Sequence, residues 1–93
     1  MATLHIEHAI TDYATWRAAF DRFAEARERA GVTAYRLRRP EDDEHIIIID
    51  LEFPDVASAH RFHGFLQQNV WNDPERSPGL DGNPMARVLV DHA

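Results

Sequence analysis

Ninety-three residues carrying a net charge of -6 make one domain, 1–93, with a moderate core, and the acidic balance argues against nucleic acid or an anionic membrane as partner. There is no cysteine, which removes disulfides, thiolate metal sites and a cysteine nucleophile. All ten basic residues are Arg, so a Schiff-base lysine is excluded too. Met1-Ala2-Thr3 leads straight into strand pattern with no basic start and no apolar run, so no signal peptide is read and a cytoplasmic protein is expected.

Residues Thr3 to Ile10 alternate, with Leu4, Ile6, His8 and Ile10 on one face and Thr3, His5, Glu7 and Ala9 on the other, the pattern of a half-buried strand. Thr11-Asp12 supplies a helix N-cap. From Tyr13 the period becomes helical: Tyr13, Trp16, Phe20, Phe23, Arg27 and Ala30 fall three or four apart in one stripe. On the opposite side Arg17 with Asp21, and Glu25 with Arg29, are spaced as surface pairs. One helix is therefore predicted from Tyr13 to Ala30, closed by Gly31 at C′. Val32 to Arg39 reads as a second strand, turned by Pro40 and the acidic run to Glu44 into a hairpin. A turn centred near Asp42 sets Tyr35 and Leu37 beside Ile49 and Ile47, with Arg36 and Arg38 across from Ile48 and Ile46.

His45 to Phe53 is the strand around which the chain is organised. It is too short for a membrane span and rich in Ile. One face carries Ile47, Ile49, Leu51 and Phe53; the other carries Ile46, Ile48, Asp50 and Glu52. Pro54-Asp55 caps a second helix whose inner stripe is Val56, Ala59, Phe62, Leu66 and Val70, with Phe65 beside it. Gly64 within it marks a weak spot or a close approach. Asn72 to Pro84 reads as loop, and Met85 to Asp91 as the last strand.

The order β-α-β-β-α-β gives an α+β ferredoxin-like sandwich: a four-stranded antiparallel sheet, first and third strands central, both helices on one face. Its other face mixes Ile46 and Ile48 with His5, Glu7, Arg36, Arg38, Asp50 and Glu52, which calls for a partner sheet, most simply a second copy.

The strings His8-x-x-x-Asp12-Tyr13-x-x-Trp16-Arg17-x-x-Phe20-Asp21, Arg27-x-x-Ala30-Gly31-Val32-x-x-Tyr35-Arg36, Asp42-Asp43 and Glu52-Phe53 resemble the small dimeric α/β-barrel proteins, including the antibiotic-biosynthesis monooxygenase-like and cyclase-like groups. The resemblance runs from the first strand to the second helix. It implies sheet-to-sheet pairing into a barrel and a small ligand held between sheet and helices. The activities it spans include cofactor-independent oxygenases, polyketide cyclases, isomerases and haem-handling proteins. The segment from Trp71 to Pro84 is longer and more loop-like than the resemblance implies.

The candidate proton-handling pair is His8, on the helix-facing side of the first strand, and Tyr35. Tyr13, Trp16, Phe20 and Phe62 are the candidate ligand walls, and equally they fill a core. His60 and His63 are spaced for a metal but lack a third ligand, so no metal and no cofactor are assigned. His5, Glu7, Asp50 and Glu52 read as interface partners of Arg36 and Arg38. The leading function is a homodimer that binds a small aromatic or polyketide-like molecule and acts on it as a cofactor-independent monooxygenase or cyclase. The alternatives are a non-catalytic ligand-binding or assembly dimer, and a haem-handling protein. A cavity of roughly 300 Å³ or more with His8 or Tyr35 at its wall would favour the first, and a closed apolar interior the second.

Overall fold

The two stretches with the cleanest period-2 alternation become the two central strands. β1 (Ala2–Ile10) and β3 (Ile46–Phe53) pair antiparallel, flanked by β2 (Ala34–Arg38) outside β3 and β4 (Leu80–Val90) outside β1. The computed structural model describes residues 1–92. Between the strands run α1 (Tyr13–Arg22), α2 (Ala24–Arg29) and α3 (Val56–Asn69). Even-numbered residues of β1 and odd-numbered residues of β3 are buried throughout, and they meet Trp16, Ala59 and Phe62 from the helices in one core. The sheet order β2-β3-β1-β4 and the helical cover on one face make this the ferredoxin-like α+β arrangement.

Local chemistry sets the helix ends. The Asp12 carboxylate accepts from the Thr15 N–H at 2.9 Å, and that of Asp55 from the Ser58 N–H at 2.7 Å. Gly31, at φ 97°, ends α2: its own N–H donates to the Glu28 carbonyl, and the Val32 N–H reaches the Arg27 carbonyl, both at 3.1 Å. That pair of bonds is a Schellman motif, which needs a left-handed residue at C′. The two surface ion pairs, Arg17 with Asp21 and Arg29 with Glu25, form as spaced.

The structure departs from the sequence pattern in four places. The predicted helix from Tyr13 to Ala30 is broken at Phe23, whose backbone (φ -96°, ψ 12°) leaves the helical well. The Phe20 carbonyl accepts instead from the Phe23 N–H at 3.2 Å and from the Arg27 guanidinium at 2.5 Å. The β2–β3 register is two residues from the expected one: Tyr35 faces Leu51, Leu37 faces Ile49, Arg36 faces Asp50 and Arg38 faces Ile48. An even shift preserves every face, so the core assignment survives. Tyr13 and Val56, placed on inner stripes, are exposed, since each opens a helix beyond the edge of the core.

The fourth departure is in the last strand, which begins at Leu80 rather than Met85. On β1 the pairing steps from Glu7 opposite Met85 to Ala9 opposite Asp81. Gly82, Asn83 and Pro84 bulge out opposite His8. Pro84 has no N–H to give the ladder, and Gly82, at φ 80°, supplies the turn. The expected loop therefore lies only between α3 and Leu80, and the Asp-Gly-Asn-Pro turn signal is a bulge within a strand.

Candidate functional site: a cavity between sheet and helices

Beneath the helices lies a half-enclosed cavity of about 70 Å³. Ile6 and His8 from β1 and Ile49 and Leu51 from β3 form its floor. Trp16 and Phe20 come from α1, Phe23 from the break that follows it and Arg27 from α2, with Phe62 and Leu66 from α3 and Trp71, Arg76, Ser77 and Pro78 from the following loop. The volume is well short of the ~300 Å³ of a typical preformed ligand site, yet the wall is not that of a sealed apolar core. It carries an imidazole and two guanidinium groups.

His8 is only 5% exposed. Its Nδ1 lies 3.2 Å from the Ala9 carbonyl oxygen, and a carbonyl can only accept, so Nδ1 carries the proton. Burial pushes the His8 pKa below its ordinary 6.5, with the Ala9 carbonyl opposing more weakly, so the ring is neutral at neutral pH. Nε2 then holds the lone pair. Among the described residues Nε2 makes no hydrogen bond, and the ring lines the cavity. The bulge opposite His8 removes a β4 cross-strand neighbour, and the ring packs 5.9 Å from Trp16 instead.

From His8 the wall continues through a run of rings. Trp16 stacks on Phe20 at 5.1 Å, and the Arg27 guanidinium lies 3.6 Å over the Phe20 ring. Tyr35 closes this row edge-on to Phe20 at 5.3 Å, with the same guanidinium 5.4 Å from its ring. Tyr35 is 46% exposed and stands outside the cavity wall, on the far side of Phe20 and Arg27. Of the residues expected to line a ligand, Trp16, Phe20 and Phe62 do so. Tyr13 does not: its ring lies 6.0 Å from Trp16, and its hydroxyl accepts from Arg17.

Arg27 is the residue that sequence reasoning passed over. It is 7% exposed, and burial draws its pKa down, though a guanidinium stays cationic. Among the described residues it takes part in no ion pair. Asp21, which acts on it through space, is already paired with Arg17 at 3.0 Å. Its position was the available signal, being the one charge in an otherwise apolar helical stripe. Arg76 differs, since it is tied to Asp73 at 3.6 Å and to the Asn69 carbonyl at 3.2 Å.

The helix-free sheet face carries a separate polar network. The Asp50 carboxylate is held by His5 Nδ1 and by Arg38, each at 2.6 Å. Burial works to raise the Asp50 pKa, but the hydrogen bonds and charges of His5 and Arg38 together outweigh it and hold the carboxyl below its usual range. Thr3 donates to the Glu52 carboxylate at 3.0 Å. Arg36, expected as an interface partner, makes no ion pair among the described residues. On α3, His63 packs against Trp71 at 5.8 Å, and burial and then His60 lower its pKa. Among the described residues no cluster of three or more His, Asp or Glu is arranged to hold a metal ion. No helix among them is long and apolar enough to cross a membrane.

No family model matches the sequence, and no curated protein matches it. Solved structures do. One is an antibiotic biosynthesis monooxygenase, at a TM-score of 0.68 and 15% identity over 100% of both chains. Another is SnoaB, a cofactor-independent oxygenase from Streptomyces nogalater, at a TM-score of 0.72 and 16% identity, covering 99% of this chain and 93% of that one. A dimeric ferredoxin-like protein from an uncultured marine organism aligns at 0.60 with 10% identity, covering 99% and 97%. Identities this low speak for architecture and not for activity. The chain thus has the ferredoxin-like α+β fold that these solved structures share.

Proposed function

We propose that this protein is a homodimer, paired through its helix-free sheet face, that binds a small aromatic molecule between sheet and helices and uses His8 as the proton acceptor. The observation that carries the reading is the state of His8: buried, neutral, with Nδ1 committed to a backbone carbonyl and Nε2 left as a base on the cavity wall. A phenolic O–H would give its proton to Nε2, leaving a phenolate against imidazolium. In a cofactor-free oxygenation such an anion would be held for dioxygen, and the likeness to a cofactor-independent oxygenase supports this choice of chemistry. Tyr35, at the outer end of the ring row, lies outside the cavity wall, so proton transfer in the cavity is assigned to His8 alone. A ring-sized ligand requires the outer wall from Trp71 to Pro78 to give way, because the cavity holds only about 70 Å³ as it stands.

That small volume also favours a second reading, a non-catalytic assembly dimer whose aromatic residues only fill the core. Oxygen uptake with a panel of monocyclic and polycyclic phenols separates the two. The wild type is expected to consume oxygen with at least one of them, and the His8→Phe/Tyr35→Phe double variant is expected to be inactive. Full activity in the double variant removes the site assignment, and no uptake by wild type with any phenol, together with no binding of any of them, leaves the assembly reading.

A further inference from the structure

Arg27 is a buried cation that enters no ion pair among the described residues, and Asp21, the carboxylate that acts on it through space, is already paired with Arg17. Its guanidinium gives one hydrogen bond, to the Phe20 carbonyl, and rests on the Phe20 ring. Among the described residues its remaining N–H groups donate to no acceptor. Arg27 lines the cavity, whose surroundings are otherwise chiefly apolar and aromatic. The other guanidinium on the wall, Arg76, is already engaged by Asp73 and Asn69. A buried charge is kept without a partner only at a cost to stability, and planar N–H forks match carboxylates.

We infer that the cavity takes a small aromatic carboxylate, and that Arg27 is the group that holds the carboxylate. This rests on the reading of the cavity as a ligand site. The ring of such a molecule lies against Trp16 and Phe20, and its carboxylate takes the donors that Arg27 leaves open. The chemistry sets the ligand's charge: an isosteric neutral amide offers the fork one acceptor and no charge, and binds more weakly.

The test uses benzoate and benzamide as probes. The chain has two Trp residues, Trp16 and Trp71, and both line the cavity, so intrinsic fluorescence reads its occupancy. Benzoate is expected to bind about tenfold more tightly than benzamide. Arg27→Met is expected to erase that preference, and Arg27→Lys to restore part of it. A purely structural Arg27 would leave the ratio of the two affinities unmoved. Should Arg27→Met fail to fold, Arg27→Gln keeps a donor for the Phe20 carbonyl and carries the same test. Equal binding of both probes, or an unchanged preference in the neutral variants, overturns the role of Arg27 while leaving the cavity a binding site. Absence of binding by either probe at millimolar concentration overturns both.

Discussion

At the scale of single residues, the two groups that matter are polar side chains placed where apolar ones would pack more cheaply. His8 has a folded-state pKa below its unfolded one, so between the two values the unfolded chain holds a proton that the folded chain refuses. Stability contributed through this site is therefore complete above pH 6.5 and falls as the medium is acidified through that window. A His8→Phe variant is expected to lose this part of the pH dependence. Urea melts between about pH 7.5 and about pH 5.5 would show a shallower acid decline than wild type. An unchanged slope would mean that His8 does not titrate as its burial requires. The other group, Arg27, shows why such a site is hard to find in a sequence: the helical stripe gives its position, but only the absence of an ion pair among the described residues gives its meaning.

At the scale of elements, caps and glycines account for most of what forms. Gly31 is fixed by its left-handed backbone at the end of α2, and Ala there is expected to destabilise by about 1 kcal/mol. Gly64 is the opposite case. It sits inside α3, and a Cβ added to it would meet nothing within 4 Å, so the close approach that its presence suggested does not exist. Gly64→Ala is expected to raise stability by roughly 0.5–1 kcal/mol, measured as a shift in the denaturation midpoint. No gain would mean that α3 is constrained in some way its surroundings do not display. The break at Phe23 belongs to this scale as well. A continuous helix would occupy the Phe20 carbonyl from within, whereas here it accepts a side chain from the next segment. That side chain is Arg27, so the interruption of the helix and the placement of the cavity's cation are one local event.

For the whole molecule, the governing feature is a sheet with helices on one side only. On the bare side Ile46 and Ile48 are joined by Met85 and Leu89 of β4, both more than two-fifths exposed, around the His5–Asp50–Arg38 network. A patch that mixes apolar groups with pre-formed ion pairs suits a second copy about a two-fold axis. Sedimentation at micromolar concentration is expected to give a dimer. Ile48→Arg is expected to give a monomer that keeps its helical circular dichroism. A wild-type protein that sediments as one subunit would sink the dimer and the barrel built from it.

The sequence alone determined the layers. Period-2 and period-3.6 patterns, Asp12 and Asp55 as caps, Gly31 as a stop and the Ile-rich strand sufficed for the element order, the central strands and the buried faces, because each of these signals is local and repeated. It also placed His8, Trp16, Phe20 and Phe62 on the correct side of the sheet. Only the tertiary structure decided what the cavity contains. The start of β4 and the bulge opposite His8 depend on pairing with β1, far away in the chain. The exclusion of Tyr13 and Tyr35 from the wall depends on where the edge of the core falls. That Arg27 enters no ion pair among the described residues depends on every neighbouring element at once, which no pattern within a single helix can encode.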